Sequence, residues 1–322
     1  MSRIARFAAA LLLAAFSASG AAFAVDYPTR PVKWVVPYPP GGTTDVLARI
    51  IAQWLSEKMG QQFIIENKPG GGNNIGVEFV VNAPPDGYTV LLVNPANGIN
   101  ATLYKNLPFN FIRDIAPVAG LVRSPNVMEV TTSMPVKSVK EFIDYCKANP
   151  GKINMASSGS GTSVHLSGEL FKYMTGCQML HVPYKGAGPA LTDLIAGQVH
   201  VLFDNLPSSI GHIKGGRIRA LAVTSAEREP SLPDVPTVGD TVPGYEATAW
   251  FGMGAPKGTP REVIEKLNAE INRALADPAM QKRLAELGGK PIAGTPEDFG
   301  RVIADETEKW AKVVVSSGAK VE

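Results

Sequence analysis

An apolar strand that leads through a glycine-rich turn into an amphipathic helix is the feature that most restricts how this sequence can fold. Residues 32–38, VKWVVPY, form a short stretch rich in β-branched residues that ends before Pro39 and Pro40. This pattern predicts a buried strand. After the turn, one helical stripe carries the apolar residues Val46, Leu47, Ile50, Ile51, Trp54 and Leu55. In the turn 41–45, GGTTD, glycines permit close approach and the following helix N-terminus offers unpaired N–H groups. This combination is typical of an anion site.

The alternation of strand and helix continues through the rest of the chain. Residues 63–66, 75–81 and 88–93 read as strand, helix and strand, so the first segment follows a βαβαβ pattern and predicts a parallel sheet. Residues 115–132 form a long extended run, which we expect to cross between two lobes. A second α/β series occupies residues 139–224. Two such series predict a two-lobed α/β protein with a cleft between its domains.

The last part of the chain is expected to return to the first series. We therefore predict a discontinuous lobe 1, made of residues 25–123 and 229–322, and a lobe 2 of residues 124–228. On length alone, about two domains are expected.

Two helix starts in the C-terminal part carry capping patterns. Thr259 precedes Pro260 and stands three residues before Glu262, the spacing of a capping box with proline at the first helical position. Thr295 precedes Pro296 in the same manner. Both threonines are therefore predicted to cap a helix.

The first 24 residues have the pattern of a secretory signal peptide. Arg3 and Arg6 form a basic start, residues 7–16 are almost wholly apolar, and Ala22-Phe23-Ala24 fits a small-x-small cleavage site. We expect export and cleavage after Ala24. The apolar stretch is too short to span a bilayer as a mature helix.

The charge of the chain excludes some classes of partner. The predicted signal peptide holds two of the 31 basic residues and none of the 29 acidic ones, so the mature chain balances at 29 against 29. No basic excess remains that would indicate binding to nucleic acid or to an acidic membrane surface.

The cysteines and histidines do not form a metal-binding pattern. Cys146 and Cys177 are the only cysteines, and with four histidines they give neither C-x-x-C nor H-E-x-x-H spacing. We expect no metal and no cofactor. In an oxidising compartment the two cysteines could form a disulfide, but two buried free thiols are an equal alternative.

A second strand–turn–helix segment repeats the chemistry of the first. Residues 153–156 read as a strand, residues 157–163, SSGSGTS, as a turn of glycines and hydroxyl groups, and a helix runs from Ser163 to Thr175. In open α/β sheets, ligands bind at the carboxyl ends of the strands, where such turns lie. One turn in each lobe would hold a small anion from two sides.

The common phosphate and hydrolase motifs fit neither turn. No lysine follows Gly42 or Gly161 as a P-loop requires, and Val164 stands where a dinucleotide fingerprint needs its third glycine. The nucleophile elbow G-x-S-x-G fails because His165 replaces its last glycine. A carboxylate is the most natural remaining anion.

Long stretches of the sequence resemble the periplasmic solute-binding proteins of tripartite tricarboxylate transporters, also called the Bug family. They include DYPTRPVKWVVPYPPGGTTDVLAR, IENKPGGGNNIG, APPDGYTVLL, SSGSGTSVHLSGELF, HVPYKGAGPALTDLIAGQV and PGYEATAWFGMGAPKGTP. The resemblance implies a two-lobed type II periplasmic-binding-protein fold that closes on a small organic carboxylate. It also implies delivery of that solute to a membrane permease with a large and a small subunit. We expect a periplasmic monomer without catalytic chemistry.

Thirteen residues are candidates for ligand binding, most of them in the two turns that the family uses to hold a carboxylate. They are Tyr38, Gly41, Gly42, Thr43, Thr44, Asn74, Ser157, Ser158, Gly161, Thr162, Ser163, His165 and Asp204. Asp45, being anionic, is expected to cap the helix or bind water instead. His165 could bond a second carboxylate or could be a packed histidine, and Tyr38 is a candidate wall for the body of the ligand.

Two other functions remain open from the sequence. A serine hydrolase would use Ser163 or Ser158 with His165, although no acid that orients a base can be identified. A sensory protein would present the loaded receptor to a histidine kinase instead of a permease. The identity of the acid is not given by the sequence.

Overall fold

The structure, a computed structural model, describes residues 26–320, so the predicted signal peptide lies outside the described residues. The strands are β1 (Val32–Val36), β2 (Phe63–Asn67), β3 (Thr89–Val93), β4 (Ile115–Thr131), β5 (Ile153–Ser157), β6 (Met179–Pro183), β7 (Val201–Asn205), β8 (Ile218–Val223), β9 (Thr248–Pro256) and β10 (Lys290–Pro291). The α-helices are α1 (Thr43–Met59), α2 (Asn74–Val81), α3 (Pro95–Leu103), α4 (Phe111–Asp114), α5 (Val139–Ala148), α6 (Ser163–Thr175), α7 (Ala187–Ile195), α8 (Leu206–Lys214), α9 (Arg261–Ala276), α10 (Pro278–Glu286) and α11 (Pro296–Ser317).

The sheet follows the order β2-β1-β3-β9-β4-β7-β5-β6, and β8 and β10 also pair with β4. As the βαβ pattern predicts, β1 is parallel to β2 and β3, and β5 is parallel to β6 and β7. Strand β9 comes from the C-terminal part of the chain and is antiparallel to β3 and β4. The chain therefore returns to its first half after completing the second.

Strand β4 joins the two halves of the sheet. Its residues 115–125 pair with β9, and its residues 126–131 pair with β7 and β8. The prediction that this extended run crosses between the two series is confirmed. We call the half with β1–β3 and β9 the first lobe and the half with β5–β8 the second lobe. The residue boundaries given above for the lobes stay predictions.

Each lobe has its own apolar core. The stripe of α1 packs on the first half of the sheet, where Trp34, Leu47, Ile51 and Leu55 are fully buried. In the second lobe an aromatic cluster includes Phe171, which contacts Phe142, Phe203 and Tyr245. Burial of large apolar side chains at this scale is the main stabilising term for both lobes.

One of the two capping predictions is wrong. Helix α9 begins at Arg261 with Pro260 at its N-cap, and the Thr259 hydroxyl instead donates to the Pro256 carbonyl at 2.8 Å. The hydroxyl belongs to the preceding turn, and no side chain in residues 26–320 caps α9. Thr295 does cap α11, in a capping box with Asp298.

The fold distinguishes between the two alternatives given for the cysteines. Cys146 and Cys177 are both buried free thiols. None of the helices found in residues 26–320 has the length and apolar content needed to cross a membrane.

Candidate functional site

A cleft between the two lobes is lined by twelve residues. They are Tyr38, Gly42, Thr43, Thr44, Asn94, Pro95, Ser158, Thr162, Ser163, Ala187, Asn205 and Phe251. The space between them, including its opening to solvent, is about 370 Å³. This figure is an upper limit for the volume of an occupant in the conformation described.

Five helices begin at this cleft. The lining includes the N-cap residues of four of them, Gly42 of α1, Asn94 of α3, Thr162 of α6 and Asn205 of α8, and the first residue of the fifth, Ala187 of α7. Each helix follows a strand whose carboxyl end lies at the cleft, which is the standard ligand position in α/β sheets. Helix N-termini combine free N–H groups with partial positive charge.

The side chains that line the cleft are neutral. Among residues 26–320, none of those lining it is a lysine, arginine, histidine or carboxylate. Any attraction of an anion into the cleft therefore rests on the backbone groups at the helix ends and not on a lining cation. Such an arrangement suits an anion.

The first turn leaves its helix N-terminus free toward the cleft. The N-cap residue of α1 is Gly42, which supplies no side-chain cap. Asp45 lies behind the turn, where it accepts from the Gly41 N–H at 3.1 Å and from Arg49 Nε at 2.9 Å. Burial opposes ionisation, but hydrogen bonds from Arg49, Asn67 and the Gly41 N–H together lower the pKa of Asp45. Its anionic carboxylate thus holds the turn instead of entering the cleft.

The second turn is held by its own threonine cap. Thr162 Oγ1 accepts from the His165 N–H at 3.2 Å and donates to the Gly159 carbonyl at 2.8 Å. His165 Nδ1 also holds this turn by accepting from the Gly161 N–H at 3.2 Å. The His165 ring stacks on the His181 ring, with the ring centroids 4.1 Å apart. Burial and the neighbouring His181 lower the pKa of His165 to about 3. This histidine is therefore neutral and supports the loop.

The structure separates the predicted site residues into two groups. Seven line the cleft: Tyr38, Gly42, Thr43, Thr44, Ser158, Thr162 and Ser163. Six lie outside the lining: Gly41, Asn74, Ser157, Gly161, His165 and Asp204. Members of the second group form hydrogen bonds with other side chains of the protein. Ser157 Oγ lies 2.7 Å from His181 Nε2, and Asn74 Oδ1 accepts from Asn100 Nδ2 at 3.0 Å.

Five lining residues were not predicted as site residues: Asn94, Pro95, Ala187, Asn205 and Phe251. The most informative is Asn94, which is 3% exposed. Its Oδ1 caps α3 by accepting from the Ala96 N–H at 3.1 Å, and its Nδ2 has no hydrogen-bond partner among residues 26–320. Buried amide donors normally have a partner, and Asn94 lies where an occupant of the cleft could supply one.

The lobes touch each other beside the cleft. Thr43 Oγ1 of the first lobe lies 3.0 Å from Ser208 Oγ of the second and accepts from the Ser208 N–H at 3.1 Å. Glycines allow further close approach, because a Cβ on Gly186 would lie 2.6 Å from Pro39 Cδ. The conformation described is therefore a closed one.

A family profile described as "Tripartite tricarboxylate transporter family receptor" matches residues 47–318. The chain belongs to this family. Its members are periplasmic receptors that bind solutes, and the expected type II periplasmic-binding-protein fold is confirmed by solved structures. The structure titled "R. palustris Rpa4515 with adipate" is 42% identical, with a TM-score of 0.90 over 92% of this chain and 100% of that one. MatC from Rhodopseudomonas palustris with bound malate is 32% identical, with a TM-score of 0.85 over 89% of this chain and 100% of that one.

Curated relatives of this tripartite tricarboxylate transporter receptor cover nearly its whole length. The UPF0065 protein in the tcbD-tcbE intergenic region of Pseudomonas sp. strain P51 is 41% identical over 96% of this chain and 93% of its own length. Protein BugT of Bordetella pertussis is 38% identical over 92% of both chains. The alignments therefore span both lobes of the receptor.

Proposed function

We propose that this chain is a monomeric periplasmic receptor that captures a small organic carboxylate between its lobes. It then delivers the solute to a membrane permease with a large and a small subunit, and it performs no catalysis. The observation that carries this proposal is the convergence of five helix N-termini and the unpartnered Asn94 amide on a cleft without charged side chains. Solved relatives titled with adipate and malate support a carboxylate as the solute class.

In the proposed complex, one carboxylate accepts hydrogen bonds from the first-turn N–H groups of α1 and α6 and from Asn94 Nδ2. A charge-assisted hydrogen bond is worth about 1.5–3 kcal/mol and a helix N-terminus adds about 0.3–1 kcal/mol. Three or four such contacts, less the cost of ordering, reach the roughly 8 kcal/mol of micromolar affinity. Tyr38 and Phe251 supply apolar surface for the body of the solute.

Closure of the lobes would convert binding into a signal for the permease. The proposed carboxylate contacts come from both lobes, so the solute favours the closed conformation in which Thr43 contacts Ser208. The permease would then recognise the closed surface. Solute uptake distinguishes a receptor that serves a permease from one that serves a sensor kinase. Deletion of the receptor gene should abolish uptake only if the partner is the permease.

The residues named for the hydrolase alternative, Ser163 or Ser158 with His165, do not form a nucleophile and base pair. Ser163 Oγ accepts from Asn205 Nδ2 at 3.2 Å, and the described hydrogen bonds join neither Ser163 nor Ser158 to a histidine. His165 Nδ1 accepts from the Gly161 N–H, and its Nε2 lies 3.8 Å from Glu169. A serine nucleophile needs a base within hydrogen-bond reach.

A thermal-shift screen tests the binding proposal. Residues 25–322 are purified, unfolded and refolded to remove carried-over solute, and mixed with citrate, C4–C6 dicarboxylates, acidic amino acids, nicotinate, benzoate and phthalates. A solute at about 100 times its Kd adds about 2.7 kcal/mol of stability, which is a rise in Tm of roughly 5–10 °C. A folded protein that none of these acids stabilises would contradict the proposal.

A further inference from the structure

Two buried carboxyl groups lie together beneath the cleft. Glu129 on β4 and Asp204 on β7 are each 0% exposed. Val127 is the partner of Asp204 in the β4–β7 ladder, so Glu129, two residues along β4, lies on the same face and diagonal to Asp204. Ser209 Oγ connects them, at 2.9 Å from Glu129 Oε1 and 3.0 Å from Asp204 Oδ2.

The pair does not have enough donors for two anions. Asp204 accepts from Ser208 Oγ and the Asn205 N–H, but the Ser209 hydroxyl has one proton to share between the two carboxyls, and Glu129 Oε2 and Asp204 Oδ1 are buried without a hydrogen-bond partner in the described chain. Two adjacent buried carboxylates without a cation are strongly unfavourable, so at least one holds a proton. Burial raises the pKa of Asp204 to about 6, and burial together with the Asp204 charge raises the pKa of Glu129.

The charged and titratable groups described on the neighbouring elements do not pair with Glu129 or Asp204. Arg219 of β8 donates to the carbonyls of Met134 and Val136. Asp45 of α1 pairs with Arg49, and His165 of α6 stacks on His181. His212 of α8 has a pKa lowered by burial and by Arg217. In the part of the chain that the structure describes, neither Glu129 nor Asp204 forms an ion pair.

A short chain of hydrogen bonds connects this pair to the cleft. Ser208 Oγ donates to Asp204 Oδ2 at 2.5 Å and lies 3.0 Å from Thr43 Oγ1, and Thr43 lines the cleft. Asn205, the next residue after Asp204, lines it as well. Thr43 Oγ1 is therefore two hydrogen bonds from Asp204, and the charge of a solute carboxylate beside Thr43 would repel an ionised pair.

The inter-lobe contact does not depend on ionisation of Asp204. The Ser208 N–H donates to Thr43 Oγ1 at 3.1 Å, and Ser208 Oγ can donate instead to the Asn205 carbonyl at 2.8 Å. Protonation of Asp204 thus leaves the lobes in contact while it removes the repulsion. Charge repulsion between the solute carboxylate and Asp204 therefore decides that solute binding favours the protonated form of Asp204.

We propose that Glu129 and Asp204 form a proton-binding site coupled to the cleft, so that capture of a solute carboxylate is accompanied by uptake of a proton. This inference rests on the proposed function. By reciprocity, the solute binds more tightly as the pH falls through the titration of Asp204.

Isothermal titration calorimetry with adipate, or with the acid that stabilises the protein most, tests the coupling. Titrations at pH 7 in buffers of different ionisation enthalpy give the number of protons taken up from the slope of heat against that enthalpy. If the solute raises the Asp204 pKa by one unit from about 6, uptake is roughly 0.4 proton per solute, and affinity falls about fivefold between pH 6 and pH 8.

Two isosteric variants identify the group that takes up the proton. Asp204→Asn should reduce uptake to near zero, whereas Glu129→Gln, which mimics a protonated Glu129, should retain it. Binding with zero uptake in the unmodified protein would overturn the inference while leaving the proposed function intact. Uptake that persists in Asp204→Asn, or affinity that follows sodium concentration instead of pH, would also overturn it. If no acid binds, the proposed function fails and this inference fails with it.

Discussion

Replacement of Asn94 by aspartate is expected to abolish carboxylate capture in a protein that still folds. Aspartate has the same shape and caps a helix as well as asparagine, so the cap on the Ala96 N–H is kept. The change replaces the unpartnered Nδ2 donor with an anion that faces the bound carboxylate. At about 4 Å and an effective dielectric constant of about 20, this repulsion is about 4 kcal/mol, or nearly a thousandfold in Kd.

Asn97→Asp is the matched control for this variant. Asn97 lies on the same helix, is also 3% exposed, and also has an unpartnered Nδ2, but it does not line the cleft. Calorimetric titration should therefore show a much smaller loss for Asn97→Asp than for Asn94→Asp. Equal losses of affinity in the two variants would mean that the new charge weakens binding by destabilising the fold. Full affinity in Asn94→Asp would show that Asn94 does not contact the solute.

Replacement of Gly186 by alanine should weaken binding by preventing closure. The backbone of Gly186 is extended, at φ 172°, so alanine adopts it without strain, but its Cβ would lie 2.6 Å from Pro39 Cδ across the lobe interface. The proline ring is rigid and cannot move aside cheaply. Overpacking costs about 1–3 kcal/mol, and here the cost falls only on the closed state, so Kd should rise roughly 5- to 150-fold.

The solute-free protein offers a check on this interpretation. Because the clash disappears when the lobes separate, the Tm of solute-free Gly186→Ala should stay close to that of the unmodified protein. Gly211→Ala on α8, where a new Cβ meets nothing within 4 Å, should leave Kd unchanged. A Gly186→Ala protein that binds with unchanged affinity would show that the closed contact between Pro39 and Gly186 is not needed for capture.

Local sequence patterns predicted the elements that carry the turns. The strand and helix around residues 41–45 and 157–163 follow directly from apolar periodicity and glycine position, and both appear in the fold. Asn94 also had a local signature, because Asn-Pro after a buried strand is an N-cap followed by proline at the first helical position. That signature lies at the carboxyl end of β3.

Other parts of the site depend on tertiary structure. Phe251 reaches the cleft because β9 inserts between β3 and β4, which no local pattern indicates. Periodicity could not tell which side of α6 faces the cleft, and His165 instead supports the loop through the Gly161 N–H. Likewise, Asp204 ends the expected strand but is turned into the protein toward Ser208 and Ser209.

The central claim is that helix N-termini in a cleft without charged side chains select a carboxylate for its negative charge. Calorimetric titration of the best-binding acid and of its primary amide, which has nearly the same shape but no charge, tests this claim most directly. We predict that the acid binds with micromolar or tighter Kd and that the amide binds at least a hundredfold more weakly, since it loses the charge-assisted hydrogen bonds. An amide that binds as tightly as the acid would contradict the account.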